Sequence, residues 1–206
     1  MTSGRYFGLW ALILSGCAYT SEGESTHFHP ENPHKVDIVM PPNAPSISQQ
    51  YRYFPEMSEE KQRLGDHLAI DIKAPIGTPV IAAADGRVRA SFYEPIFGNQ
   101  IAVEHGRGPN GKVLITRYVH LDTRISKEGD VVKRGQQVGT LGLTGAAAQF
   151  QPHLHFEVRE KQADGHELPA DPQYFWIEGV GRVTCFEPGK TIPSNPVLFT
   201  YPVVCS

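Results

Sequence analysis

The sequence predicts an all-β fold built on antiparallel sheet. Three observations carry this. The 206 residues include 20 glycines and 17 prolines, punctuation too dense for a helical bundle. From about residue 64 to 160, apolar and polar residues alternate over short runs: HLAIDI, PVIAAA, RVRASFY, NQIAVEH, VLITRYVHL, QVGTLG and HLHFEVRE. No segment holds a 3.6-residue apolar period with caps. The Pro109-Asn110-Gly111 turn signal between two runs predicts a hairpin of 99–105 with 112–121. Hydrophobic residues at 40% and charged residues at 20% exclude wholesale disorder. A net charge of -3 leaves no basic footprint for nucleic acid.

The N-terminal segment reads as an address. Within residues 1–16, Arg5 gives a short basic start, an apolar stretch covers 6–14, and Ser15 and Gly16 follow, the pattern of a secretory signal. Leu14-Ser15-Gly16-Cys17 also resembles the lipobox of bacterial lipoproteins, which implies a diacylglyceryl group on Cys17 and cleavage before it. The same resemblance, with Ala18 in place of an aspartate, implies the periplasmic face of the outer membrane, with the lipid as the membrane anchor. Residues 17–50, rich in Ser, Pro, Glu and Asn without period, read as a flexible tether. His27, His29 and His34 fall there and read as solvated linker residues, because no cysteine or carboxylate pattern completes a site.

Period-2 alternation sorts the histidines. In 67–72 it sets His67, Ala69 and Asp71 on one face and Leu68, Ile70 and Ile72 on the other. In 153–158 it groups His153, His155 and Glu157, and in 118–121 it pairs Tyr118 with His120 against Val119 and Leu121. Each run therefore offers an apolar face for a core and a histidine face for chemistry. Ala69 reads as the small residue that leaves room above two ligands. Neutral imidazole and carboxylate are good zinc donors, and a catalytic site takes three protein ligands and keeps a fourth position for water. His67, Asp71 and His155 would form such a His₂Asp set for one zinc ion per chain. His120 and His153 remain to take a proton or to stabilise an oxyanion. His105, at a strand end without partner spacing, reads as structural, His166 as a loop residue, and Glu157 as a cross-strand hydrogen-bonding partner.

The ordered motifs H-L-A-I-D (67–71), G-T-P-V (77–80), A-A-D-G-R-V (83–88), Y-V-H-L (118–121), G-D-V-V-K-R-G-Q-Q-V-G (129–139) and P-H-L-H-F-E-V (152–158) together resemble the LytM/lysostaphin-type zinc metallopeptidases, which cut the peptide part of bacterial peptidoglycan. The resemblance spans about 60–176, with D-P-Q-Y-F (171–175) near its end, and places the metallopeptidase domain at 51–176. It implies a narrow groove walled by loops on a fold related to the barrel-sandwich hybrid (duplicated hybrid) motif. It also implies His67, Asp71 and His155 as zinc ligands and His120 and His153 as the catalytic pair. Two departures stand out: Ala69 where the family usually has Gly, and Phe150-Gln151 where it usually has a Ser/Thr-Gly pair. The second falls on a groove wall and bears on substrate preference. Arg63 is positioned to contact a substrate carboxylate or to sit exposed.

Residues 177–206 extend past the family's usual end. With Cys17 lipidated, Cys185 and Cys205 remain as an even pair, which in an exported protein forms a disulfide; the flanking VTCF and VLFTYPVVC read as strands. The expected function is a zinc endopeptidase acting on peptidoglycan stem peptides or cross-links, the D-alanine to diaminopimelate bond above all, in cell wall remodelling. Two alternatives stand beside it. One is a non-catalytic envelope lipoprotein that binds peptidoglycan or activates another hydrolase, which loss of metal ligands would mark. The other is a hybrid-motif carrier domain, which would need an exposed modified lysine at a turn.

Overall fold

A computed structural model describes residues 36–54 and 65–205. The signal segment, Cys17, His27, His29, His34 and Arg63 lie outside the described residues. The strands are β1 (Ile47–Gln49), β2 (Ile70–Ile72), β3 (Pro79–Ile81), β4 (Gly86–Glu94), β5 (Gly98–Arg107), β6 (Val113–Leu121), β7 (Thr123–Arg124), β8 (Val131–Val132), β9 (Gln137–Thr140), β10 (Leu154–Lys161) and β11 (Glu167–Ala170). Two short 3₁₀ turns, Ala146–Ala148 and Pro172–Tyr174, complete the regular structure. The large sheet runs β1-β2-β10-β6-β5-β4-β8, with β11 also on β10, and the small one runs β3-β9-β7. Every pairing within them is antiparallel, as the alternation predicts.

The expected hairpin is β5–β6, with Val103 opposite Thr116. Its turn closes through Gly111 at φ 77, a conformation that favours glycine, while the Asn110 side chain accepts from the Lys112 N–H. One core joins both sheets. Ile70, Ile72, Ile101, Tyr118, Leu154 and Phe156 of the large sheet meet Val80, Val138 and Leu141 around the small one.

Both ends of the expected domain extend further than the composition implies. Residues 36–50, read as tether, are built into the fold: β1 pairs with β2, Val39 bridges Arg182, and Ile38, Met40, Ala44 and Ile47 pack on the core. Scattered among polar residues, these apolar side chains show no local period, yet each finds a partner far away in sequence. At the other end Val183, Val197, Phe199, Tyr201 and Val203 belong to the same core, so no boundary falls at residue 176. Cys185 and Cys205 form the expected disulfide, with Cα atoms 6.0 Å apart. The strands expected around them do not form. That chain makes single bridges, Trp176 to Phe199 and Val80 to Val203, because Pro196 and Pro202 deprive it of ladder donors.

Candidate metal centre

Asp71 of β2 faces His155 of β10 directly across the antiparallel register, which brings the two side chains together on one face. His67 reaches them by a departure from the strand. Four residues of regular strand would put its Cα about 13 Å from that of Asp71. The chain instead bends at Ala69 before β2 begins. His67 Nε2 thereby comes within 3.1 Å of Asp71 Oδ1. The alternation read over 67–72 is therefore corrected. Ala69 is fully buried rather than on the ligand face, and Leu68 lines the cleft beside His67.

A second correction concerns His120. Regular alternation would send it the same way as Tyr118. Tyr118 is fully buried in the core, where its hydroxyl accepts from the Ala83 N–H. His120 has φ 62, and this single left-handed residue turns its ring into the cleft. Such a conformation costs a non-glycine residue on the order of 1–3 kcal/mol and is held by its surroundings. Here the Nδ1–H of His120 donates to Thr144 O at 2.9 Å, while Thr144 Oγ1 donates to Leu121 O and accepts from the Asn99 N–H.

His67, Asp71, His120, His153 and His155 all line one cleft of about 640 Å³. Three histidines repeat one device: the Nδ1–H of His67 donates to Gln50 O, that of His120 to Thr144 O and that of His153 to Gln151 O, at 2.9, 2.9 and 2.7 Å. Each Nε2 is left as a lone pair aimed into the cleft. His155 is turned the other way, with Nδ1 2.9 Å from Asp71 Oδ1 and Nε2 3.6 Å from Glu157 Oε1. Glu157, read as a cross-strand partner, also accepts from Arg117 and Arg159. A carboxylate on Nε2–H leaves Nδ1 as the donor atom for a metal.

Charge is concentrated here. Burial disfavours ionised Asp71, but the His155 and His67 rings packed against it outweigh that and hold the carboxyl well below the usual range. Burial likewise disfavours protonated His155, yet Asp71 and Glu157 raise it to about 9. Burial is the main cause of the drop of His120 to about 4, and the nearby His153 and His155 add to it. His105 sits in the core as the sequence predicts, with its nitrogens on Asp85 O and Thr116 Oγ1.

The donor set fits a divalent cation. The ligand atoms of His67, Asp71 and His155 lie within 4.8 Å of one another. His67 Nε2 is buried without a hydrogen-bond partner among the described residues, and faces a carboxylate oxygen at contact distance. Two acceptors so placed repel unless a cation lies between them. His120, His153 and His155 also cluster, but that set has no carboxylate and, among the described residues, no fully buried nitrogen without a partner.

The sequence model described as Peptidase family M23 matches residues 65–168, half of the chain. The chain belongs to peptidase family M23. Peptidoglycan DD-endopeptidase ShyC of Vibrio cholerae is 44% identical over 91 residues, which is 44% of this chain and 19% of that protein. Peptidoglycan DD-endopeptidase ShyB of the same organism is 38% identical over 109 residues, 53% of this chain and 24% of that protein. The matched stretch thus spans a quarter or less of these relatives. Lysostaphin from Staphylococcus simulans shares 27% identity and a TM-score of 0.53 over 74% of this chain and 58% of its own.

The M23 match contains all five cleft residues singled out in the sequence and none of several that support them. Gln50, which holds His67 by its backbone carbonyl, precedes it. Gln173 and Trp176 follow it: Trp176 Nε1–H donates to Gln173 Oε1, and Gln173 Nε2–H donates to Gln50 Oε1. Backbone carbonyls leave no mark in a sequence, so Gln50, Thr144 and Gln151 could not be found there. The Phe150-Gln151 departure falls on the cleft rim as expected. Gln149 and Phe150 have φ 50 and 62, Phe150 projects into solvent, and Gln149 and Gln151 line the cleft.

Proposed function

We propose that this M23 chain is a zinc-dependent endopeptidase that hydrolyses peptide bonds of peptidoglycan, with the D-alanine to diaminopimelate cross-link as the bond cut. The carrying observation is the orphaned His67 Nε2 facing Asp71, with His120 and His153 presenting two further lone pairs in the same cleft. The names of the Vibrio relatives support the substrate, and the His₂Asp donor set supports zinc. His67, Asp71 and His155 would hold the ion, which supplies Lewis acidity toward a carbonyl and a lowered pKa for water.

The protein's own groups then divide the proton work. His120 stays neutral to about pH 4 because it is buried, and its fixed tautomer lets Nε2 accept a proton from the attacking water. The proton that His120 takes up is then passed from its Nε2 to the departing amine, while His153, with its ring 4.9 Å from that of His120, presents a second Nε2 acceptor beside the reacting atoms. Glu157 keeps His155 in the tautomer that offers Nδ1. Phe97 packs beside His120, with ring centroids 6.5 Å apart.

The test is digestion of purified cross-linked peptidoglycan by the mature chain, with and without chelator, read by mass spectrometry. Chelator-sensitive conversion of dimers to monomers is expected, and its loss in His155→Ala. Full activity in that variant would refute the assignment. We also propose that Cys17 carries the lipid and anchors the chain at the outer membrane. The support is the Leu14-Ser15-Gly16-Cys17 pattern. Incorporation of labelled fatty acid, abolished in Cys17→Ala, is the expected result.

A further inference from the structure

Part of the cleft wall is built by β1 and the residues just after it, outside the stretch matched by the family. Gln49 of β1 is registered opposite Asp71, which is opposite His155, so the three form one row across three strands on the cleft face. Arg52 and His67 form a reciprocal backbone pair, each N–H donating to the other's carbonyl at 2.8 Å. Residues so paired stand side by side on one face, with Cα atoms about 5.5 Å apart. The same backbone contact that places the ligand His67 thus places Arg52 next to it. Gln49 Oε1 accepts from Arg52 Nη2 at 3.2 Å and steers the guanidinium along the row. Lys73, two residues after Asp71, leaves the strand on that face and also lines the cleft.

These two cations differ from the others in the cleft. Arg117 and Arg159 are both committed to Glu157. Neither Arg52 nor Lys73 makes an ion pair among the described residues. Asp66, the remaining carboxylate on this wall, accepts from the Phe54 N–H. Two cations without an ion pair among the described residues, beside a candidate metal centre and on a chain of net charge -3, make a local site for an anion.

We propose that Arg52 and Lys73, with Gln49 as the positioning residue, form a subsite for a carboxylate of the substrate peptide within about two residues of the scissile bond. The inference rests on the endopeptidase reading and deepens it by naming the charge of the substrate on one side of that bond. Adjacent strands are about 4.8 Å apart and an extended peptide advances about 3.3 Å per residue, so one strand of offset from Asp71 corresponds to one or two substrate residues.

The test uses two synthetic cross-linked stem-peptide dimers, identical except that the diaminopimelate carboxylates beside the cross-link are free in one and carboxamides in the other. Binding is measured by calorimetry on chelator-treated protein, and cleavage by mass spectrometry on the zinc-loaded protein. Wild type is expected to prefer the carboxylate dimer by about tenfold or more in both. Arg52→Gln with Lys73→Gln is expected to bring both ratios close to one, and Arg52→Lys alone to restore part of the preference. Unfolding temperature and the Cys185–Cys205 disulfide check that the variants fold. Equal treatment of the two dimers by wild type, a preference that survives the double substitution, or binding of neither dimer overturns the subsite. Cleavage without discrimination overturns the subsite and leaves the endopeptidase reading standing. Discriminating binding without cleavage does the reverse.

Discussion

Gln173→Met tests whether a hydrogen-bond chain from the C-terminal segment supports the metal centre. Gln173 is almost fully buried, accepts from the Trp176 indole and donates to Gln50 Oε1, and the Gln50 carbonyl fixes His67. Methionine keeps most of the volume and removes both side-chain hydrogen bonds. It leaves the buried Trp176 N–H without its acceptor, a cost of about 1–3 kcal/mol. For a chain of this length that lowers the unfolding temperature by roughly 2–4 °C per kcal/mol. The metal effect is separate. Groups that orient a ligand histidine change metal affinity by about 10–100-fold, and Gln173 acts one step further out, so a loss of about tenfold, roughly 1.4 kcal/mol, is expected. Competition against a chromogenic chelator measures that affinity. Val138→Ala, in the core away from the cleft, has a comparable stability cost of about 2 kcal/mol and is the control. If Gln173→Met loses no more metal affinity than Val138→Ala, the reasoning is refuted.

Gly98→Ala should disable the cleft without removing the metal. Gly98 has φ 70, and an added Cβ would lie 2.3 Å from the Thr144 backbone carbon, whose carbonyl holds His120. A displacement of about 1 Å there should lower turnover about 100-fold, while metal content measured by atomic emission stays at one per chain. Breaking the Cys185–Cys205 disulfide, which closes a separation of 20 residues, should cost about 3 kcal/mol, seen as an unfolding transition roughly 6–12 °C lower in reductant. His105 supplies the pH test. Burial pushes its pKa down from 6.5 to about 4, so between those values the unfolded chain binds a proton that the folded one refuses. Stability is therefore complete above about pH 6.5 and declines as pH falls toward 4, by about 3 kcal/mol from this residue. Urea denaturation of His105→Gln should show a shallower decline than wild type, and an equal slope in the two would remove His105 as the cause.

Much of this protein is written locally. The alternating runs, the Pro109-Asn110-Gly111 turn and the five metal and catalytic candidates could all be read along the chain, because turn chemistry and period-2 burial act over a few residues. The Cys185–Cys205 pairing was likewise legible from the count of cysteines. The tertiary structure decided where that periodicity is broken. His67 meets Asp71 because the chain leaves the strand at Ala69, and His120 enters the cleft because one residue takes a positive φ. Side-chain alternation says which way a residue points only while the strand stays regular. The same limit hid the tautomer locks from Gln50, Thr144 and Gln151, since every residue has a carbonyl and only folding chooses which one a histidine meets. It also hid the cleft wall of Gln49 and Arg52, because β1 gains its place from partners on β2 and in the C-terminal segment, contacts between distant residues that no local pattern records.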